Sequence, residues 1–394
     1  MILRQAVILV GGLGSRLGNL TKNVPKPILK INKKRFLDIL IENFARYGIK
    51  KIYLLTSYKF KKFEKIYNNK IFNSTKIVCI NEGLPKGTGG ALIKSIKRFD
   101  QYFLFCNGDT FFDINYLDFF LNSNKSKAIN IAITNKNKNK RFSYVKIKSN
   151  SIIDFNIKYG DFVNSGYYII NKKKLINKPK NIKSLSLEKD IFPELIKKNQ
   201  INFVKFNKEF LDIGVKKDLN KADNYLYNNL KKKVAILDRD GVINYDFGYV
   251  HKMNKFKLKP NIIDLIKFLN DKNYFVFVVT NQSGIGRGYY SEKDVKKLHN
   301  YLDYKLNKKG AHIDEYFISP YFKFSKSKKY RFGSKYRKPN IGFFNQIKKN
   351  YPIKLKGSFM IGDQKTDYLF AKKSKIQYFD VKKIGSLLNL KFLI

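Results

Sequence analysis

The apolar run Val234-Ala-Ile-Leu237 stops at two aspartates, Asp238 and Asp240, and a glycine, Gly241, follows at once. No other feature of the chain narrows its possible folds so far. A buried strand that ends in paired carboxylates beside a glycine delivers both acids to the carboxyl end of a sheet, where open α/β folds bind ligands and do chemistry. Of two carboxylates so placed, one can attack phosphorus and the other can move a proton. Asp-x-Asp-Gly also builds ordinary turns and calcium loops, so these four residues alone leave those readings open. A calcium loop needs further oxygen ligands and a closing glutamate, whereas Val242-Ile243 follow here.

The run is the second start of a repeating pattern. Apolar stretches at 6–10, 51–56, 76–80 and 102–106 alternate with amphipathic segments at 36–47 and 90–98, as βα units on a largely parallel sheet do. The pattern restarts with strands expected at 234–237, 274–280, 315–319 and 357–361 and helices at 260–270 and 291–308. At 394 residues and 43% hydrophobic content the chain exceeds one compact core and can fill two. The fold class expected is therefore α/β with two domains, 1–230 and 231–394, each a largely parallel sheet with flanking helices. The polar stretch from Tyr227 to Lys233 marks the boundary. The segment 134–150, dense in Lys and Asn, reads as a solvated loop or hairpin.

A formal net charge of +50 would suit a nucleic-acid or anionic-surface binder. The lysines are scattered along the whole chain, form no stripe and accompany no nucleic-acid motif, in a composition rich throughout in Lys, Asn, Ile, Phe and Tyr. Compositional bias accounts for the charge, and no nucleic-acid partner is expected. The two cysteines, Cys79 and Cys106, provide neither a disulfide framework nor a cysteine metal site. No apolar stretch reaches the ~18 residues of a membrane span, and residues 1–10 lack the pattern of a signal peptide. A cytoplasmic location follows as the expectation.

The first strand runs into Gly11-Gly-Leu-Gly-Ser-Arg16, with Pro25-Lys-Pro27 downstream. Glycines let main-chain N–H groups approach a phosphate, Arg16 can neutralise it, and Lys26, stiffened between prolines, can reach a second anion. Together with Gly87-Thr-Gly-Gly90, Asn107-Gly-Asp-Thr110, Asn164-Ser-Gly166, Glu188 and Asp212-Ile-Gly214, this order resembles the sugar-phosphate nucleotidyltransferases, a Rossmann-like fold. Within them the heptose 1-phosphate guanylyltransferases are most similar. The resemblance implies that Gly11, Gly12, Gly14 and Arg16 hold a nucleoside triphosphate and that Gly87, Thr88 and Gly89 lie against its base. It implies that Asp109 and Asp212 bind magnesium, that Lys26 and Lys158 contact phosphates, and that Asn164, Gly166 and Glu188 position a sugar.

In the second half the aspartate pair is joined by Thr280-Asn-Gln-Ser-Gly284, Arg337-Lys-Pro339, and Gly362-Asp363 with Asp367. This set resembles the haloacid dehalogenase superfamily of phosphatases. The longer strings Leu237–Asn244, Gly248-Tyr-Val250 and Thr280–Arg287 are similar to heptose bisphosphate phosphatases. By resemblance, Asp238 is the nucleophile and Asp240 the acid and base; Asp238, Asp363 and the Asp240 carbonyl hold magnesium; Thr280 and Lys338 bind the transferring phosphoryl group. Asn281, Arg287 and Arg337 are left for the rest of the substrate. Asp367 is expected either to stiffen the metal site or to cap the next helix, His251 to sit at the rim, and His299 to lie on the surface.

Such phosphatases often carry a zinc loop of cysteines and a histidine before Arg-Lys-Pro. Here the stretch from Ser319 to Lys338 has Ser and Tyr instead, so no zinc is expected and the loop 320–336 must be held by its aromatics or be mobile. Joined, the two activities give an order of events. The phosphatase removes the 7-phosphate of a heptose 1,7-bisphosphate, and the transferase activates the 1-phosphate, with GTP and the α anomer favoured by resemblance. The competing readings are a transferase for another sugar phosphate with a broader phosphatase, and a basic RNA- or membrane-binding protein with vestigial sites. The oligomeric state is not readable from the sequence.

Overall fold

A computed structural model of the chain describes residues 2–31, 33–136, 142–157, 159–175 and 184–393. The chain forms two compact units, Leu3–Tyr227 and Asn228–Ile394, apart from the first two residues. Among the described residues no helix is long and apolar enough to cross a membrane.

In the first unit Gln5–Leu9 lies inside a ten-stranded sheet, flanked in parallel by Lys51–Thr56 and Tyr102–Asn107, with Thr75–Asn81 parallel beyond Lys51–Thr56. These strands read as unbroken apolar runs because both faces of a parallel sheet are covered. The other half of the sheet is mixed. Phe162–Asn171 runs antiparallel to both Tyr102–Asn107 and Ile129–Thr134, and Ile201–Phe206 pairs in parallel with Ile129–Thr134. The sequence pattern hides these three strands because asparagines interrupt it. Asn130 shows how that is tolerated: buried within a strand, its amide accepts from Asn124 N at 2.7 Å and donates to Asn124 O at 3.1 Å. Tyr144–Lys148 and Ser151–Ile157 form an antiparallel hairpin across Ser149 and Asn150, both at positive φ, whereas 137–141 of the expected loop lie outside the described residues.

The second unit is a five-stranded parallel sheet in the order Glu315–Ser319, Phe275–Asn281, Lys232–Leu237, Ile353–Gly362, Gln377–Asp380. Alternate residues of each central strand enter opposite cores. Ala235, Leu237, Val276, Val278, Phe359 and Ile361 pack with the helices Ile262–Asp271 and Glu292–Asn307. Val234, Ile236, Phe275, Phe277 and Met360 pack on the other face with Gly342–Asn350 and Lys365–Ser374. Period-two side-chain alternation thus fills both layers, and the central strand is left with only its carboxyl end open to chemistry.

Candidate active sites

In the first unit the loop after Gln5–Leu9 turns through Gly14, whose φ of 69° is cheap only for glycine. A Cβ there would stand 3.0 Å from Thr21 Cγ2 and 3.4 Å from Lys26 Cβ, so the loop closes against both residues. Thr21 Oγ1 lies 2.9 Å from the Gly14 carbonyl oxygen, within reach to donate to it. Gly11 is also confined, by Ser57, while Gly12 faces open space. Lys26 is buried and ion-paired to Asp109. The short strands Thr110–Phe111 and Leu211–Asp212 pair antiparallel, which sets Asp212 opposite Thr110, and Ile213 N donates to Asp109 O at 3.0 Å. Two acids 103 positions apart in the chain, Asp109 and Asp212, are so brought to neighbouring strands.

A cavity of about 270 Å³ opens beside them, lined among others by Arg16, Asn164, Gly166, Glu188 and Asp212. Gly166, at φ 74°, admits the Asn107 amide to within 2.8 Å of where a Cβ would stand. Lys158 lies outside the described residues. Gly87, Thr88 and Gly89 open the helix Gly87–Ser95 and pack on the segment at Leu185: a Cβ on Gly87 would lie 2.5 Å from Leu185 O, and Gly89 N and Gly90 N donate to that oxygen at 2.8 and 3.0 Å.

In the second unit the strand ends deliver what the spacing implied. Carboxylate oxygens of Asp238, Asp363 and Asp367 lie within 4.8 Å of one another. Gly241 is what allows this closeness: at φ 82° a Cβ would stand 2.5 Å from Asp363 Oδ2. Lys338, buried, stands 2.9 Å from Asp238 Oδ1 and 2.7 Å from Asp367 Oδ1. Burial pushes the Asp238 carboxyl up; Lys338 pulls it down and Asp367 pushes it up again, with the balance well above the ordinary carboxylate range. Burial alone would lower the Lys338 ammonium, but the two carboxylates outweigh it and raise it. Asp367 Oδ2 accepts from Asp363 N and Gln364 N at 3.2 Å, capping Lys365–Ser374, while Oδ1 faces Lys338.

Asp240 is held by residues that motif reading passed over. The fully buried Arg239 donates to it through Nε at 3.1 Å and Nη2 at 2.8 and 2.9 Å, and also binds Val250 O. Asn244 donates to Asp240 Oδ1 at 2.9 Å and Gln282 to Oδ2 at 2.8 Å. Gln282 Nε2 also lies 2.9 Å from Thr280 Oγ1 and Gln282 accepts from Tyr290 OH at 2.7 Å, so one amide spaces Asp240 from the Thr280 hydroxyl. Only Arg239 left a signal in the sequence, an arginine between two acids, since a cation there has a carboxylate within reach whichever way it turns. Asn281 bonds both the N–H and the carbonyl of Lys338, at 3.1 and 3.2 Å, and so fixes that lysine.

Four carboxylates, Asp238, Asp240, Asp363 and Asp367, share two buried cations, Arg239 and Lys338, and Lys382 stands 3.9 Å from Asp363 Oδ2 at the exposed edge. Asp363 Oδ1 is buried without a hydrogen-bond partner. An all-oxygen, acid-rich cluster with an orphaned acceptor fits a hard divalent cation.

At the rim Arg287 lies 3.7 Å over the Phe322 ring, and Arg337 donates to Tyr321 O at 3.3 Å. Burial, followed by the nearby Arg287, lowers the Arg337 guanidinium. The two guanidinium groups are thus near enough to repel each other. The loop 320–336 is organised by its aromatics: Tyr321 stacks on Tyr336, Gly333 packs against the Tyr321 ring, and Phe322 N donates to Tyr330 O at 3.0 Å. His251 stacks on Tyr290 at 4.8 Å. His299 corrects an expectation. It is buried, 4% exposed, and stacked at 4.1 Å on Tyr316, because the helix Glu292–Asn307 turns that face to the core.

The geometry thus defines an α/β enzyme with two phosphate-handling centres, one in each unit. The chain belongs to the nucleotidyl transferase family, whose model matches residues 5–229, and its second part to a phosphatase family, the polynucleotide kinase 3 phosphatase model matching residues 233–392. A D-glycero-beta-D-manno-heptose-1,7-bisphosphate 7-phosphatase of Rhodopseudomonas palustris is 39% identical over 149 residues, covering 38% of this chain and 83% of the relative. A D-glycero-alpha-D-manno-heptose 1-phosphate guanylyltransferase of Campylobacter jejuni is 34% identical over 218 residues, covering 54% of this chain and 96% of the relative. The structure of an inositol-1-phosphate CTP transferase from T. maritima matches with a TM-score of 0.51 at 18% identity, over 57% of this chain and 95% of that one, a likeness of fold.

Proposed function

We propose that the chain is a bifunctional, cytoplasmic enzyme of nucleotide-activated heptose synthesis. It removes the 7-phosphate of D-glycero-D-manno-heptose 1,7-bisphosphate and then transfers GMP from GTP to heptose 1-phosphate, releasing pyrophosphate. One activity is assigned to each unit, 1–230 and 231–394. The observation that carries the reading is the Asp238–Asp363–Asp367 cluster with Lys338 buried in it, on a chain whose two parts match relatives named for these two reactions.

In the phosphatase unit Asp238 attacks phosphorus and forms an aspartyl phosphate. Asp240 gives a proton to the departing sugar oxygen and then takes one from the attacking water. Lys338 and Thr280 bind the transferring phosphoryl oxygens, and Arg287 and Arg337 take the second phosphate of the substrate. Asp238, Asp363 and the Asp240 carbonyl would hold Mg²⁺, which when bound offsets the repulsion between carboxylate and phosphate. In the transferase unit Arg16, Lys26 and the N–H groups of Gly11, Gly12 and Gly14 bind the triphosphate. Asn164, Gly166 and Glu188 orient the sugar phosphate, whose oxygen attacks the α-phosphorus, so no protein nucleophile is needed. Asp109 and Asp212 would hold Mg²⁺ there.

The test is to incubate the protein with each anomer of the bisphosphate and each nucleoside triphosphate and to identify the products by mass. Asp238→Asn is expected to abolish phosphate release while transfer to supplied heptose 1-phosphate survives, and Asp109→Asn to do the reverse. Loss of both activities in either variant contradicts two separate sites.

A further inference from the structure

The Thr88 hydroxyl has both of its hydrogen-bonding roles filled inside the protein. It donates to Glu188 Oε2 at 3.0 Å and accepts from Leu187 N at 2.7 Å. Around it the turn Lys86–Gly90 is bound to the 185–188 segment, 100 residues on, by main-chain bonds. Gly89 N and Gly90 N donate to Leu185 O, and Leu185 N donates to Lys86 O at 2.8 Å. The glycines of the turn are explained by this closeness, since a side chain on Gly87 or Gly89 would meet Leu185 O at 2.5 or 3.1 Å.

Glu188 is the residue on which this assembly converges. Its Oε2 also lies 3.3 Å from Ser186 Oγ, and its Oε1 3.4 Å from Tyr168 OH, which accepts from Asn164 Nδ2 at 2.7 Å. Glu188, Ser186 and Asn164 line the 270 Å³ cavity beside Arg16 and Asp212. A carboxylate at the edge of a cavity is useful to a polyhydroxylated ligand only if its oxygens point at fixed hydroxyls, and a freely rotating glutamate loses that preorganisation.

We propose that Thr88 is a positioning residue for the sugar, acting through Glu188, and that the Gly87–Gly90 turn serves as the clasp that carries it. The proposal rests on the transferase reading of the first unit. Its consequence is a split between substrates. Thr88→Val keeps the shape and removes the hydroxyl, so KM for the sugar 1-phosphate rises about ten-fold, the size expected for losing a hydrogen bond to a charged group. The dissociation constant for GTP with Mg²⁺, measured calorimetrically without sugar, stays within two-fold. The hydroxyl is turned to Glu188 and Leu187, so only the main chain of the turn is left for the base contact that the resemblance implies. Thr88→Ser restores the sugar KM. In Glu188→Gln the further change Thr88→Val adds little, because the partner is already altered.

The outcomes separate. A ten-fold weaker GTP dissociation constant in Thr88→Val overturns the proposal, whatever the sugar, and makes the hydroxyl a nucleotide contact. Equal loss of both affinities with a lowered melting temperature, or failure of Thr88→Ser to restore the sugar KM, reduces Thr88 to a structural residue. Wild-type protein that binds GTP but transfers to no sugar 1-phosphate defeats the transferase reading itself, and the positioning role with it.

Discussion

The ammonium of Lys338 lies 2.9 Å from Asp238 Oδ1, with only 1% and 11% of the two side chains exposed. A buried pair of this kind gains little over an apolar substitute, yet breaking it leaves a stranded charge at a cost of ~3–5 kcal/mol. Lys338 is shared with Asp367, so Lys338→Met strands two carboxylates and removes a ligand for the phosphoryl group. Phosphate release should fall by about a thousand-fold or more, while nucleotidyl transfer in the same preparation is unchanged. Residual release within ten-fold of wild type would show that the lysine is only structural.

The convergence of the Asp238, Asp363 and Asp367 carboxylates makes a second expectation. Mg²⁺ binds only the folded cluster, so saturating Mg²⁺ should stabilise the second unit by about 2–3 kcal/mol at a hundred-fold excess over its dissociation constant. Asp363→Asn removes the charge beside the orphaned oxygen and most of that gain. Chemical melts in Mg²⁺ and in chelator, wild type against variant, read it directly; identical melts for wild type in the two buffers would refute the cation site.

His299 gives the pH dependence. Burial, and then the nearby Arg239 cation, lower its imidazole from 6.5 to about 3. The folded value lies below the unfolded one, so the contribution is complete above pH 6.5 and is lost as pH falls toward 3. The slope is ~1.4 kcal/mol per pH unit, or roughly 2 kcal/mol between pH 6.5 and 5. His299→Phe keeps the ring stack on Tyr316 and has no proton to gain, so the wild type should lose stability relative to the variant as urea melts move from pH 7.5 to 5. Parallel curves would mean that the imidazole is solvated.

These expectations draw unequally on sequence and structure. Asp238 was legible because it ends an apolar strand beside a second acid and a glycine, whereas Asp363 and Lys338 were picked out because their short motifs resemble those of a known family. Asp109 and Asp212 were legible only through resemblance, since no local pattern announces that Thr110–Phe111 and Leu211–Asp212 pair. The hold on Asp240 by Gln282 and Asn244 was hidden for another reason: amides carry no charge signature, and their roles arise from distance alone. His299 was misjudged because the helix Glu292–Asn307 is polar on most of its surface, and which face turns inward is decided by its packing on Tyr316 and the sheet.

The loop 320–336 allows a test of what replaces a metal. Hydroxyls and rings stand where soft ligands would be, so protein purified without chelators should carry well under one equivalent of zinc, and strong chelators should not alter its melting. The order of the loop should depend instead on stacking. Gly333 lies at φ 117° with its α-carbon against the Tyr321 ring, and Arg287 sits 3.7 Å over Phe322. Phe322→Ala removes a cation–π contact of ~0.5–2 kcal/mol and frees Arg287 to wander. The expected result is a KM for the bisphosphate raised about three- to thirty-fold with kcat little changed, because the arginine binds the substrate's remote phosphate equally in ground and transition states. A fall in kcat with KM unmoved would place Arg287 at the reacting phosphoryl group, and a bound equivalent of zinc would remove the aromatic account of the loop altogether.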